Sequence, residues 1–330
     1  MALTLVAGSP AAAGKGGETQ PSGMKTYRVL IVMPVMHPSL DSAIEGFKDG
    51  LASHGLASLR VTYVELEAAA QTQGIGQIVT SELASGVDLV LALTSRAAQE
   101  AVEVTSRAGV PLVYTAVTDP VASGIVTSMA ASELHSTGVS DRYPVPEQVA
   151  FFDKFLHAGA SIAVMFSPDE VNSRILSSKT REELIARGHE VVLVEVADDS
   201  EIAEKAKAAA AGHDAVVING DNRLVNHLDV VVRHCKADGT PLFVGDPESA
   251  EHGAVAAVGP SYYDLGVDAA SKAARILLKG EAAGDIPSST PRVLRYVVNQ
   301  AAARQMGGSI PAEVWQSRDI WESVSARSKP

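Results

Sequence analysis

A chain of 330 residues is long enough for two domains of about 150 residues each. Its net charge of −12 argues against a nucleic-acid partner, because a phosphate backbone calls for a basic surface. The sole cysteine, Cys235, rules out an internal disulfide and a cysteine-rich metal site, and no run approaches the roughly 20 apolar residues that span a bilayer.

Residues 1–25 differ from the rest. An apolar start (2–6) leads to a small, Pro/Ala-rich stretch (9–13) and then a polar Gly/Ser/Thr/Gln stretch (14–23). Ala11 and Ala13 have the small-x-small spacing of a signal-peptidase site, although a basic n-region is missing. The segment reads as the remnant of a secretory leader, or as a disordered leader of no consequence.

From Tyr27 the chain alternates strand and helix. Residues 27–35 form a nearly continuous apolar run, the kind buried on both faces of a parallel sheet. Residues 39–53 then place Leu40, Ala43, Ile44, Phe47 and Leu51 on one helical face, ending at Gly55. Strands follow at 59–66, 87–93 and 111–116, separated by helices at 75–84 and 97–107. After a break near Gly138 the order returns, with strands at 161–166, 189–196, 214–219 and 241–245. The helices between them run to Ala186, over 200–211 and over 225–236. Landmarks recur: Pro38 with Pro168, Gly55 with Gly188, Asp88 with Asp214, Pro111 with Pro241, and Asp119-Pro120 with Asp246-Pro247. The pattern predicts an α/β protein of two similar doubly wound parallel-sheet lobes joined by a hinge. Residues 308–330, with Trp315 and Trp321, read as an amphipathic helix packed on a lobe.

Ligands of such sheets bind beyond the carboxyl ends of the strands, where helix N-termini point. The loops at those positions supply the candidates. Ser39 and, beside it, His37 follow the first strand, the histidine either meeting ligand or bonding backbone and solvent. Thr94, Ser95 and Arg96 follow the third, a helix start suited to a carboxylate. Thr115, Thr118 and Asp119 end the fourth. The second half offers Glu170 and Asn172, then Asp221 and Asn222, then Asp246. Hydroxyls on one side and acids on the other suit a zwitterion such as an amino acid.

Catalytic patterns are missing: there is no G-x-S-x-G elbow, H-E-x-x-H helix or phosphate loop. Asp169 and Glu170 opposite His37 or Asp119 can be drawn as an acid–base pair, as in two-lobed racemases, but a matched pair of cysteines is not available. Histidines 213, 227 and 234 do not have metal-ligand spacing. We expect no cofactor, no metal and no enzymatic turnover.

Several loops together resemble a known family. His37-Pro38-Ser39-Leu40-Asp41, Thr115-Ala116-Val117-Thr118-Asp119-Pro120, Thr137-Gly138-Val139-Ser140-Asp141, Pro168-x-Glu170-x-Asn172-Ser173, Asp221-Asn222 and Tyr262-Tyr263-x-Leu265-Gly266 are similar to ABC-transporter substrate-binding proteins of the tryptophan/tyrosine type. The resemblance implies the type I periplasmic-binding fold, with lobe 1 over 26–138 plus 262–290 and lobe 2 over 139–261 plus 291–330. It implies a hinge at Val139, Ser140 and Asp141, further crossings near Tyr262 and Pro291, an amino-acid ligand (aromatic or branched-chain) or similar small carboxylate, and a membrane permease as partner. It also implies a monomer working outside the cytoplasm. Relatives usually carry proline where Arg96 stands; the arginine either binds a second carboxylate or points to solvent. Two rival functions share the pattern: a ligand-sensing module acting on a signalling partner, and a two-lobed isomerase or racemase.

Overall fold

The computed structural model describes residues 25–35, 37–57, 61–67, 74–291, 293–308, 310–316 and 320–322. The leader, with Ala11 and Ala13, lies outside the described residues. The first half runs β1 (Tyr27–Met33), α1 (Pro38–Ser53), β2 (Val61–Glu67), α2 (Ile75–Leu83), β3 (Leu89–Leu93), α3 (Ser95–Ala108), β4 (Leu112–Val117) and β5 (Ser136–Ser140). These strands form an all-parallel sheet in the order β2-β1-β3-β4-β5.

The second half runs α4 (Val145–Phe152), β6 (Ser161–Phe166), α5 (Val171–Ala186), β7 (Glu190–Glu195), α6 (Ile202–Gly212), β8 (Ala215–Ile218) and α7 (Asn222–Asn226). It continues with α8 (Leu228–Asp238), β9 (Leu242–Val244), α9 (Pro247–Glu251) and β10 (Ala256–Gly259). After α10 (Tyr262–Lys279) come β11 (Arg295–Val298), α11 (Gln300–Gln305), α12 (Ala312–Trp315) and β12 (Ile320–Glu322). The second sheet is ordered β12-β11-β10-β9-β8-β6-β7, with β11 antiparallel to β10 and every other pair parallel. Its portion β7-β6-β8-β9-β10 repeats the order of the first sheet, so the doubled pattern of the sequence is a doubled topology.

The repeat extends to single hydrogen bonds. Asp88 Oδ2 accepts from the Arg28 amide at 2.8 Å, and Asp214 Oδ2 accepts from the Ser161 amide at 2.8 Å. Each aspartate thereby ties the start of its strand to the neighbouring one. Apolar strands explain the rest: β3 and β4 are buried at every position, as strands covered on both faces must be. On one face of the first sheet lie Leu40, Phe47 and Leu51 of α1 with Leu265 and Ala269 of α10; on the other lie Ile75, Val79, Ala97 and Ala101. The second sheet has its own core, in which Phe152 stacks on Phe243 with centroids 5.0 Å apart.

Helix α10 follows the second half in sequence but packs on α1 of the first. Gly46 abuts the backbone of Tyr263, and Gly266 abuts the backbone of Ala43, so the two helices touch main chain to main chain. The chain therefore crosses between the sheets three times: after β5, between β10 and α10, and between α10 and β11. The first and third crossings are bonded together, Ser140 N to Ser289 O at 2.9 Å and Ser289 N to Gly138 O at 3.0 Å.

Three expectations need correction. The helix read over 225–236 is broken at His227 into α7 and α8. Residues 136–140 are a strand of the first sheet, where the sequence shows only a break. Among the described residues of 308–330 there is no amphipathic helix: they hold the turn α12 and the edge strand β12 paired with β11, and Trp315 is exposed. Extended pairing along β11 satisfies the backbone of 320–322, which a helix of one or two turns in isolation does not stabilise.

Candidate functional site

The carboxyl ends of the two sheets face each other. From the first sheet come His37 and Ser39 after β1, Ser95 after β3, Ala116 and Thr118 at the end of β4, Asp141 and Tyr143 after β5, and Tyr262 at the start of α10. From the second come Asn172 on α5, Gly220, Asp221 and Asn222 after β8, Val225, and Asp246 after β9. Together they enclose a cavity of about 20 Å³, room for roughly one water. Two hydrogen bonds span it: Ser39 Oγ donates to Asp246 Oδ1 at 2.7 Å, and His37 Nε2 meets Asn222 Oδ1 at 3.4 Å. The cleft is shut.

Its lining is acidic: among the described residues three aspartates line the cavity and no lysine or arginine does. Burial pushes Asp141 up to about 6 against the pull of the Tyr262 hydroxyl. Asp221 is pushed up to about 6 by burial and by the nearby Glu170 charge. Just behind the wall, burial and Asp246 push Glu248 up to about 8. Burial lowers His37, which favours neutral imidazole. Tyr143 and Tyr262 join hydroxyl to hydroxyl at 2.8 Å, and Tyr262 donates to Asp141 Oδ2 at 3.0 Å. Asp141 Oδ1 and His37 Nδ1 are buried without a hydrogen-bond partner. Backbone strain collects at the same place, with Thr94 at φ +79 and Ala116 at φ +55.

The sequence matches the family described as ABC transporter substrate binding protein over residues 28–319. The chain belongs to that family. A tyrosine-binding protein of Clostridioides difficile is 27% identical over 277 residues, covering 84% of this chain and 79% of the relative. A conserved domain protein from Vibrio cholerae superposes with a TM-score of 0.84 at 27% identity, covering 90% of this chain and 99% of that one. An ABC domain in complex with L-Trp from Streptococcus pneumoniae gives 0.83 at 25% identity, with the same coverage. The architecture of this substrate-binding protein is the two-lobed α/β fold of type I periplasmic binding proteins. Among the described residues no helix is long and apolar enough to cross a membrane.

Of the residues expected at the ligand site of this substrate-binding protein, Ser39, Ser95, Thr118, Asn172, Asp221, Asn222, Asp246 and His37 line the cavity. So does Asp141, which sequence reasoning had placed in the hinge beside Val139 and Ser140; those two belong to β5. Thr94 and Thr115 stand one layer behind, buried, each hydroxyl without a partner. Asp119 faces outward and caps the following turn through the Ala122 amide at 2.9 Å. Glu170 binds the Asn222 and Arg223 amides at the start of α7 and lines a wider outer groove with Arg96, Asp169 and Arg223. Arg96 is two-thirds exposed and pairs with Glu100 at 3.1 Å along α3.

Asp221 accepts from Ser167 N at 2.6 Å, Ser167 Oγ at 3.0 Å, Ser173 Oγ at 2.6 Å and Leu224 N at 2.8 Å. It builds the wall more than it offers itself to a guest. Gly220, just before it, holds φ +59, and a Cβ there would run into the Leu176 side chain. Sequence reasoning missed Tyr143, Tyr262, Ala116 and Val225 as cavity residues. Tyr262 was visible within a quoted motif, whereas nothing local marks Tyr143, which reaches the cleft only because the first crossing passes beside α10.

Proposed function

We propose that this chain is the extracytoplasmic receptor of an ABC importer, that it holds an amino acid (aromatic or branched-chain) or similar small carboxylate between its lobes, and that it hands this solute to a membrane permease. The observation that carries the reading is the cavity itself: polar side chains from both sheets converge there, and buried groups remain without partners. Native proteins rarely leave such groups unmatched without a role for them. The ligand contacts in this reading are Ser39, Ser95, Thr118, Asn172, Asn222 and Asp246, with Thr94, Thr115 and Asp221 in the layer that supports them and Glu170 and Asp119 in supporting loops. The start of α3, with Ser95, Thr94 and free first-turn amides, suits a carboxylate. The named relatives bind tyrosine and L-Trp, and their ligand class extends to this chain as part of the proposal.

A space of about 20 Å³ admits no amino acid, so the solute enters an opened form. Opening bends the crossings just after β5, near Tyr262 and near Pro291, and separates the two lobes, the first now reaching the end of β5 at Ser140. The protein acts as a monomer without turnover, and residues 1–25 act as its export leader. A thermal-shift screen of amino acids and small organic acids tests this. At 100 times Kd the bound class stabilises the protein by about 2.7 kcal/mol. A flat screen, or conversion of the bound compound on long incubation, overturns the reading.

A further inference from the structure

We infer that Glu170 is a positioning residue of the cleft, which holds the side-chain nitrogens of Asn172 and Asn222 and so fixes the face that Asn222 turns to the first lobe. The inference rests on the cleft being the ligand site. Every group hydrogen-bonded to Glu170 is a donor. Oε2 accepts from Asn222 Nδ2 at 2.6 Å, Asn222 N at 3.1 Å and Asn172 Nδ2 at 3.2 Å, and Oε1 accepts from Arg223 N at 3.0 Å. A carboxylate offers only lone pairs, so an amide set against it presents nitrogen and turns its oxygen away. Asn172 is turned twice over, since Gly220 O accepts from the same nitrogen at 2.7 Å. Asn222 has no second tie: among the described residues its Nδ2 bonds Glu170 alone.

This orientation carries across the cleft. Asn222 Oδ1 lies 3.4 Å from His37 Nε2, one of the two hydrogen bonds that span the cavity. Burial holds the imidazole toward its neutral form, so a single nitrogen bears the proton. Facing an oxygen, that nitrogen is Nε2, and Nδ1, buried without a partner, keeps its lone pair. Released from Glu170, Asn222 can turn over and set its NH2 against Nε2, which breaks the bond or drives the histidine to its other tautomer. Asn172 and Asn222 line both the cavity and the outer groove, whereas Glu170 lines the groove alone. Glu170 therefore acts on a solute through the asparagines and not by touching it.

Glu170 also holds the first amides of α7, and replacing Asn222 by aspartate separates the two duties. A carboxylate presents oxygen on both faces and needs no orientation. Calorimetry on the full chain uses L-tyrosine, L-tryptophan and L-leucine as probes. For each probe that binds, we expect Glu170→Ala to lose about fivefold in affinity. Asn222→Asp alone should also lose affinity, because it sets two carboxylates side by side. The double variant Glu170→Ala/Asn222→Asp should bind within about twofold of wild type. Unchanged affinity in Glu170→Ala, or a double variant no better than Glu170→Ala, overturns the inference. A second readout needs neither ligand nor a variant at Glu170. Long-range proton–nitrogen spectra at pH 8 should show His37 as the Nε2–H tautomer, its signals identified by their loss in His37→Gln. An Nδ1–H tautomer overturns the inference. If none of the three probes binds, the amino-acid reading fails, and the tautomer decides the inference by itself.

Discussion

At the scale of single residues, some side chains of the cleft hold its wall and others are left, in the proposed function, to meet a guest; Asp221 shows the first role. Its carboxylate is buried and gathers two hydroxyls and two amides. Replacing it by alanine strands the Ser167 and Ser173 hydroxyls and the Leu224 amide, so Asp221→Ala should lose about 2–5 kcal/mol of unfolding free energy in urea titration. Retention of wild-type stability would contradict this wall-building role. Ser39 works differently, since its hydroxyl bonds across the cleft to Asp246. Ser39→Ala removes a bond worth about 0.5–1.5 kcal/mol, shifting the open-to-closed ratio several-fold. Small-angle scattering of the ligand-free variant should show a larger radius of gyration than wild type. The placement of Ser39, Ser95, Asn172, Asp221 and Asp246 was legible because each lies in the loop or first helical turn after an apolar strand. The partners of Asp119 and Glu170 were not, because a cap and a ligand contact use the same residue types.

At the scale of elements, the apolar runs of β1, β3, β4 and β6 and the one-sided face of α1 gave themselves away by periodicity. The matched aspartates 88 and 214 mark equivalent strand junctions, which is why the repeat could be seen without coordinates. Strand β5 escaped notice for a physical reason. Its sequence, Ser-Thr-Gly-Val-Ser, is mostly polar, and its hydroxyls are buried against distant backbone: Ser136 Oγ donates to Ile125 O and Thr137 Oγ1 to Ile286 O. Only tertiary neighbours make such residues a buried strand. The α1–α10 contact was likewise hidden, since it joins segments more than 200 residues apart. There Gly266 meets the backbone of Ala43. Gly266→Val forces the helices apart and should cost about 3 kcal/mol or more, read as a lower thermal midpoint. A midpoint equal to wild type would mean the helices pack otherwise.

At the scale of the whole molecule, several buried acids couple folding to pH. A carboxyl whose folded pKa is raised binds more protons folded than unfolded, so its contribution is present in full near pH 4 and is lost as pH rises through the folded value. For Asp141 and Asp221 that loss runs up to about 6, and for Glu248 up to about 8. His37, lowered by burial, acts oppositely and destabilises as pH falls below its ordinary value. Between pH 6.5 and 8.5 Glu248 dominates this set. The thermal midpoint of the ligand-free protein should therefore fall across that window, and Glu248→Gln should flatten the fall. An equal slope in the variant would place the titrating group elsewhere.

The bonded pair of crossings at Gly138–Ser140 and Ser289 has a mechanical consequence. Two chains stitched side by side make a ribbon that flexes across its thickness far more readily than it shears along its length. If the lobes open as the proposed function requires, such a ribbon would let them swing like the covers of a book and would resist sliding. A surface on their outer edges would then keep its alignment, and only the angle between the two halves would change with a passenger aboard.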